Sequence, residues 1–153
     1  MIRPVEVSDA KFMLELVNSD GFIRNIGDRN ITNETEAEEY IRNVQNKLAF
    51  FYNVFELKDS QKAIGIVSFM KRDDEAYPDF GFAMLPQYGK KGYALEASQK
   101  YLEELIHSKK YPRIIAITKP HNNKSIGLLK KLGFEYVEDY QKDGETVSLF
   151  RLA

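Results

Sequence analysis

Apolar positions along the chain change period several times, and each change marks a new element. The opening "IRPV" is a short extended stretch around Ile2 to Val5. After it, "SDAKFMLELVN" sets Phe12, Met13, Leu16 and Val17 at helical spacing behind Ser8 or Asp9 as N-cap. "NETEAEEYIRNVQNKLA" repeats the pattern, with Ala37, Tyr40, Ile41, Val44 and Leu48 on one face and an Asn33/Glu36 capping box at its start. Between these helices "SDGFIRNIGDRNIT" has no period and reads as an irregular segment, and long loops in compact domains tend to carry function.

The period then becomes extended. "AFFYNVFELK", "AIGIVSFMKR" and "DFGFAML" are rich in β-branched and aromatic residues and are separated by "DSQK" and "DDEAYP", which predicts an antiparallel meander. Helical spacing returns in "GYALEASQKYLEELIHSKK", where Ala94, Leu95, Tyr101, Leu102, Leu105 and Ile106 share a face and Pro112 helps to end the helix. "RIIAITK" is a short apolar strand. Coming after a strand and a helix, it is expected to lie parallel to "DFGFAML". "NNKSIGLLKKL" follows as a helix ended by Gly133, and "FEYVEDYQK" and "ETVSLFRLA" flank an Asp143-Gly144 hairpin turn. The predicted order is β-α-α-β-β-β-α-β-α-β-β, an α/β fold in one domain over residues 1–153, without repeat or linker.

Composition narrows the function. A chain of 153 residues, 43% hydrophobic, with nine Tyr and ten Phe, has enough apolar mass for a core of its own. Its 22 basic and 23 acidic residues nearly cancel, so the overall field favours neither nucleic acid nor an anionic membrane. The absence of cysteine excludes disulfides, thiolate metal sites and a cysteine nucleophile, and no metal is expected. No apolar run approaches the roughly 20 residues that span a bilayer, and "MIRPVEVSDAK" lacks the apolar core of a signal peptide, so a cytoplasmic location is expected.

The most informative stretch is "PQYGKKGYALEA", residues 86–97. A helix begins here, yet no Ser, Thr, Asp or Asn stands behind Gly92, Tyr93, Ala94 and Leu95 to cap it. Either water or an anion must satisfy those N–H groups. Gly92 allows close backbone approach, Ala94 keeps the first turn small, and Lys90 and Lys91 add positive charge, so a diphosphate would suit the site. The spacing matches neither a Walker loop nor a dinucleotide fingerprint. A solvated loop and the G-x-x-G clamp of a KH nucleic-acid module are the other readings of Gly89 to Gly92, but a KH clamp joins two helices and this loop follows a predicted strand.

Taken together, strand, "LPQYGKKGYALEA", helix, strand and "PHNNKSIGLLKKLGFE" resemble the GNAT acyltransferases, in particular the RimJ/RimL branch of ribosomal-protein-alanine acetyltransferases. The resemblance extends over nearly the whole chain, with "IRPVEVSDA" and "IGDRNITNETEAEEYI" included. It implies a central, mixed but mostly antiparallel twisted sheet with helices on both faces, and acetyl-CoA held where two neighbouring strands diverge. The family's loop, [QR]-x-x-G-x-[GA], falls on Gly89, Lys90, Lys91, Gly92, Tyr93 and Ala94; Gly92 and Ala94 match and Gly89 does not. Gln87, two residues earlier, could replace the missing side chain only in a shifted loop.

By the same resemblance, Met84 and Leu85 offer backbone groups to the acyl carbonyl and pantetheine arm, and Asn122 and Ser125 touch that arm and its thiol end. Many relatives carry a tyrosine acid where this chain has Leu129, which makes Ser125 the candidate proton donor. Candidate bases are Asp79 and His121, and Arg24, Asn25 and Asp28 are candidate acceptor-site residues. The implied activity is direct acetyl transfer from acetyl-CoA to a primary amine, by a monomer or homodimer. A non-catalytic acyl-CoA sensor would share the cofactor site. Phe50, Phe51, Tyr52, Phe80 and Phe82 read as core.

Overall fold

Two helix starts show how local polar chemistry shapes this fold. In the computed structural model, which describes residues 1–152, the Asn33 side chain accepts the Glu36 N–H at 2.9 Å and so caps a helix over Glu34–Gln45. Glu36 turns back as a capping box requires, but to the N–H and hydroxyl of Thr32, at 2.8 and 2.6 Å, one residue further out than expected. The first helix, α1 (Ala10–Val17), is not capped by the side chain of Ser8 or Asp9. Asp9 is buried and engaged elsewhere. Its carboxylate takes Arg3 at 2.8 and 2.7 Å and the Glu6 N–H at 2.8 Å, closing a 3-10 turn over Val7–Asp9.

The segment expected to be irregular contains a further helix, α2 (Asp20–Asn25), so Glu34–Gln45 becomes α3. Only Phe22 is buried in those six residues, too few for a period to show, and Gly21 weakens the helical signal. The remaining elements match the expected order: β1 (Ile2–Pro4), β2 (Phe50–Glu56), β3 (Ala63–Met70), β4 (Asp79–Met84), α4 (Tyr93–Ser108), β5 (Ile115–Thr118), α5 (Asn123–Lys131), β6 (Phe134–Lys142) and β7 (Glu145–Leu152).

Among the described residues one seven-stranded sheet runs in the order β1-β2-β3-β4-β5-β7-β6. Every neighbouring pair is antiparallel except β4 and β5, which are parallel as the strand-helix-strand connection requires. On one face α4 and α5 cover a core that includes Val67, Phe69, Phe80, Leu102, Ala116, Leu129 and Phe150. On the other, α1 and α3 cover the N-terminal strands through Met13, Leu16, Ile41, Val54, Ile66 and Leu85. Alternation along β4 places Phe80, Phe82 and Met84 on the α4 face and Ala83 and Leu85 on the α1 face.

Three apolar expectations need correcting. Leu48 lies beyond the end of α3 at Gln45 and is 96% exposed, since the helix stops before its period reaches that position. Phe51 is 48% exposed, because α4 packs on β3 and β4 and leaves the β2 position uncovered. Ile106 is 56% exposed near the end of α4, beyond the buried positions Ala97, Ser98, Tyr101 and Leu102. Gly133, at φ +98°, follows α5 as predicted, and Asp143 and Gly144 both take positive φ in the hairpin turn.

Candidate active site

The parallel pair at the centre of the sheet is hardly a pair. β4 and β5 meet at one register position, Asp79 opposite Ile115, supported by the Ile115 N–H donating to the Pro78 carbonyl at 3.0 Å. Beyond it the strands separate toward their C-terminal ends, leaving unpaired backbone along the split. Which groups face the split follows from the β3–β4 ladder. The Leu85 N–H donates to the Ile64 carbonyl at 2.8 Å, so alternation turns the polar groups of Leu85 and Ala83 toward β3 and those of Met84 and Phe82 toward the split. The Met84 backbone groups face the split, whereas the Leu85 N–H is used by β3 and its carbonyl accepts the Tyr88 N–H at 3.1 Å.

After β4 a 3-10 turn over Pro86–Tyr88 leads into the glycine loop. Gly89 is extended, Lys90 is left-handed at φ +64°, and Gly92 is left-handed at φ +81° as the N-cap of α4. Left-handed residues in such a loop turn successive N–H groups to one side, forming an anion-binding concavity. Among the described residues no side chain caps α4, whose first intrahelical bond runs from the Glu96 N–H to the Gly92 carbonyl at 3.0 Å. A Cβ built on Gly92 would meet nothing within 4 Å, so the glycine keeps space open outside the protein's own packing. Lys90 and Lys91 are exposed beside it. These residues fit a diphosphate. A strand and 3-10 turn precede the loop, so it is not the helix-to-helix clamp of a KH module. Nor does Gln87 replace the missing Gln/Arg of the loop, since its side chain donates to Glu15 on α1 at 3.1 Å.

Across the split, β5 ends at Thr118 and the chain turns through Lys119 and His121 into α5. Asn122 caps that helix by accepting the Ser125 N–H at 3.3 Å, which sets the half-buried Ser125 in the first turn. Because β4 and β5 are parallel, Met84, residues 89–94, His121, Asn122 and Ser125 all gather at the same C-terminal end. His121 is exposed there.

Asp79 belongs to a different constellation. It stands at the closed end of the split, five residues before Met84 or about 17 Å at ~3.3 Å per residue. Its carboxylate is buried and takes Arg72 Nε at 2.9 Å. Burial pushes its pKa above the usual carboxylate range, against the pull of Arg72. Of the acceptor-site candidates, Arg24 and Asn25 lie in the last turn of α2, and the Arg24 carbonyl accepts Lys119 Nζ at 3.1 Å, which fastens α2 to the end of β5. Asp28 accepts the Asn30 N–H at 2.8 Å and shapes the following loop.

Lys119 meets a partner 95 residues away, while Arg72 and the Tyr40–Tyr52 hydroxyl pair at 3.2 Å depend on the path of the β3–β4 connection and on α3 packing against β2, which no local pattern announces. Two surface hollows, ≈ 230 and ≈ 200 Å³, lie away from the split, beside β2 and between α4 and α5.

Comparison with known proteins gives the family and supports the fold. Residues 1–135 match the family model described as an acetyltransferase (GNAT) domain. The uncharacterized N-acetyltransferase YnaD of Bacillus subtilis strain 168 is 30% identical over 133 residues, which is 87% of this chain and 77% of YnaD. Among solved structures, AAC(6')-Ib in complex with paromomycin and acetyl-CoA superposes with TM-score 0.84 at 15% identity, over 100% of this chain and 92% of that one. The ribosomal-protein-S5-alanine acetyltransferase of Vibrio fischeri superposes with TM-score 0.73 at 20% identity, over 98% and 90% of the two chains. The chain belongs to the GNAT acetyltransferases.

Proposed function

We propose that this acetyltransferase binds acetyl-CoA in the split between β4 and β5 and passes its acetyl group directly to a primary amine, on a protein N-terminus or a small molecule. The observation that carries the reading is the uncapped N-terminus of α4, opening through the left-handed Lys90 and Gly92 at the C-terminal end of the split. The helix-end N–H groups, which no side chain caps among the described residues, and the charge of Lys90 and Lys91 both suit a diphosphate. The RimJ/RimL branch is the finer assignment, resting on the sequence of residues 86–97 and 120–135.

Acetyl-CoA supplies a thioester, whose attack by an amine needs a stabilised carbonyl oxygen, a proton for the departing thiolate and a group to take the amine's proton. The Met84 backbone N–H faces the split and serves the oxygen. Ser125, held by Asn122 in the first turn of α5, gives its hydroxyl proton to the thiolate and regains one from water. His121 stands at the same end of the split to accept the amine's proton, and Asp79, paired with Arg72 at the closed end, is assigned no part in that transfer.

Release of free thiol from acetyl-CoA, followed while a panel of amines is added, tests the reading. Amine-dependent release is expected, and Ser125→Ala should lower kcat by about 10²-fold with acetyl-CoA affinity retained. Equal turnover in Ser125→Ala removes the serine from the chemistry. Absence of amine-dependent release in the unaltered protein counts against acyl transfer as a whole.

A further inference from the structure

Since β4 and β5 pair at one position, the two halves of the sheet need other ties to hold the split at a fixed width. On the α4–α5 face the continuous core spans both halves. On the opposite face the tie is residues 71–78, the connection from β3 to β4. Glu75 accepts Tyr140 Oη at 2.7 Å and Lys142 Nζ at 2.6 Å, and Lys142 also donates to Asp74 at 2.6 Å. The Glu75 and Lys142 side chains are only 12% and 13% exposed, so this is a nearly buried ion pair joining the N-terminal half-sheet to its outermost C-terminal strand. The Arg113 guanidinium, 5.4 Å from the centre of the Tyr77 ring, fastens the same segment a second time.

A bulge in β6 aims these side chains. Up to Tyr136, the strand faces α4 and α5, with Tyr136 edge-on to Phe150 at 5.7 Å. The register then slips by one between Tyr136 and Glu138, and a one-residue slip turns every following side chain to the other face. Tyr140 and Lys142 therefore emerge on the face that the α4–α5 core does not cover, where Glu75 meets them. They also stand well along the split. Tyr140 is opposite Val147, four residues from Arg151, which is level with the closed end at Ile115; that is about 13 Å toward the open end. Residues 71–78 thus leave and return at the closed end, and through Asp74 and Glu75 reach β6 side chains on the face away from the α4–α5 core.

We propose that residues 71–78 form an acceptor-side strap, latched through Glu75 to Tyr140 and Lys142, and that the latch positions the acceptor amine without contributing to acetyl-CoA binding. The inference rests on acyl transfer taking place in the split. Glu75, Tyr140 and Lys142 are positioning residues here, acting through the strap that also carries Arg72 to Asp79.

The test compares Tyr140→Phe and Glu75→Gln with the exchange variant Glu75→Lys/Lys142→Glu. Spermidine, paromomycin and an N-terminal alanyl peptide serve as acceptors. Three quantities are read: acceptor KM, acetyl-CoA Kd by calorimetry, and tryptic cleavage of the folded protein after Lys71 and Arg72. Glu75→Gln should raise the acceptor KM and the cleavage rate about tenfold, with Tyr140→Phe smaller in both, while acetyl-CoA Kd stays within about twofold. The exchange variant should recover part of both effects. Unchanged acceptor KM and cleavage in Glu75→Gln, or an equal change in acetyl-CoA Kd, overturns the proposal. If the unaltered protein turns over no amine, the acyl-transfer reading fails, and that failure is seen without any variant.

Discussion

Gly92→Glu is expected to weaken acetyl-CoA binding by at least about 10²-fold, or about 2.7 kcal/mol, while leaving a folded protein. Two features separate the binding effect from the folding effect. A Cβ at Gly92 meets no protein atom within 4 Å, so the new side chain does not disturb packing. The backbone at φ +81° costs a non-glycine residue about 1 kcal/mol, a small part of the stability of a domain this size. The carboxylate instead occupies the open space at the N-terminus of α4, where it takes the helix-end N–H groups and repels a diphosphate. Gly92→Ala supplies the backbone strain without the charge, and should lose far less affinity. Titration calorimetry on both variants checks the prediction, and binding by Gly92→Glu at the affinity of the unaltered protein would move the diphosphate elsewhere.

Gly65→Ala should be the most damaging single-methyl change in the sheet, at about 2 kcal/mol or more. Gly65 lies on β3 opposite Met84, between β2 and β4. A Cβ there would sit 2.2 Å from Phe55 Cζ and 2.6 Å from the Ala83 carbonyl oxygen. Phe55 is core and Ala83 is held in the ladder, so neither contact relaxes by rotating a free side chain. The expected result is a lower denaturation midpoint with unchanged slope, and a fall in Tm of about 4–8 °C. Relief of the clash has to move β4 at Met84, so acetyl-CoA affinity should fall as well. A stable Gly65→Ala protein with normal affinity would mean that β3 and β4 part more easily than their packing implies.

Much of this fold is legible because its long elements repeat a period. α3 and α4 show helical faces, β2 to β4 show aromatic and β-branched runs, and Asp143-Gly144 marks the last hairpin. The parallel placement of β5 follows from connectivity alone. α2 is hidden because one buried residue, Phe22, makes no pattern. The Phe51 and Ile106 misreadings have a common origin: hydrophobicity marks a residue for burial, but the reach of the covering helix decides which positions are covered.

The site divides in the same way. Gly92, Ala94, Asn122 and Ser125 are readable as short local motifs at helix starts, and the fold brings those starts to one end of the split. Leu85 fails as a backbone donor because ladder alternation is a property of the pairing with β3, not of the residue. Asp79 is separated from Ser125 for a related reason, since five residues of extended chain carry it to the closed end. The Glu75–Tyr140–Lys142 latch joins positions 65 and 67 residues apart, and depends on a bulge that no residue of "FEYVEDYQK" announces.

The central claim is that acetyl-CoA binds in the split with its diphosphate on α4, and thermal unfolding with and without excess acetyl-CoA tests it most directly. Ligand at about 100 times its Kd stabilises by about 2.7 kcal/mol, which corresponds to a rise in Tm of about 5–10 °C for a chain of this length. The account predicts that rise in the unaltered protein and its loss in Gly92→Glu. Coincident melting curves with millimolar acetyl-CoA present would contradict it.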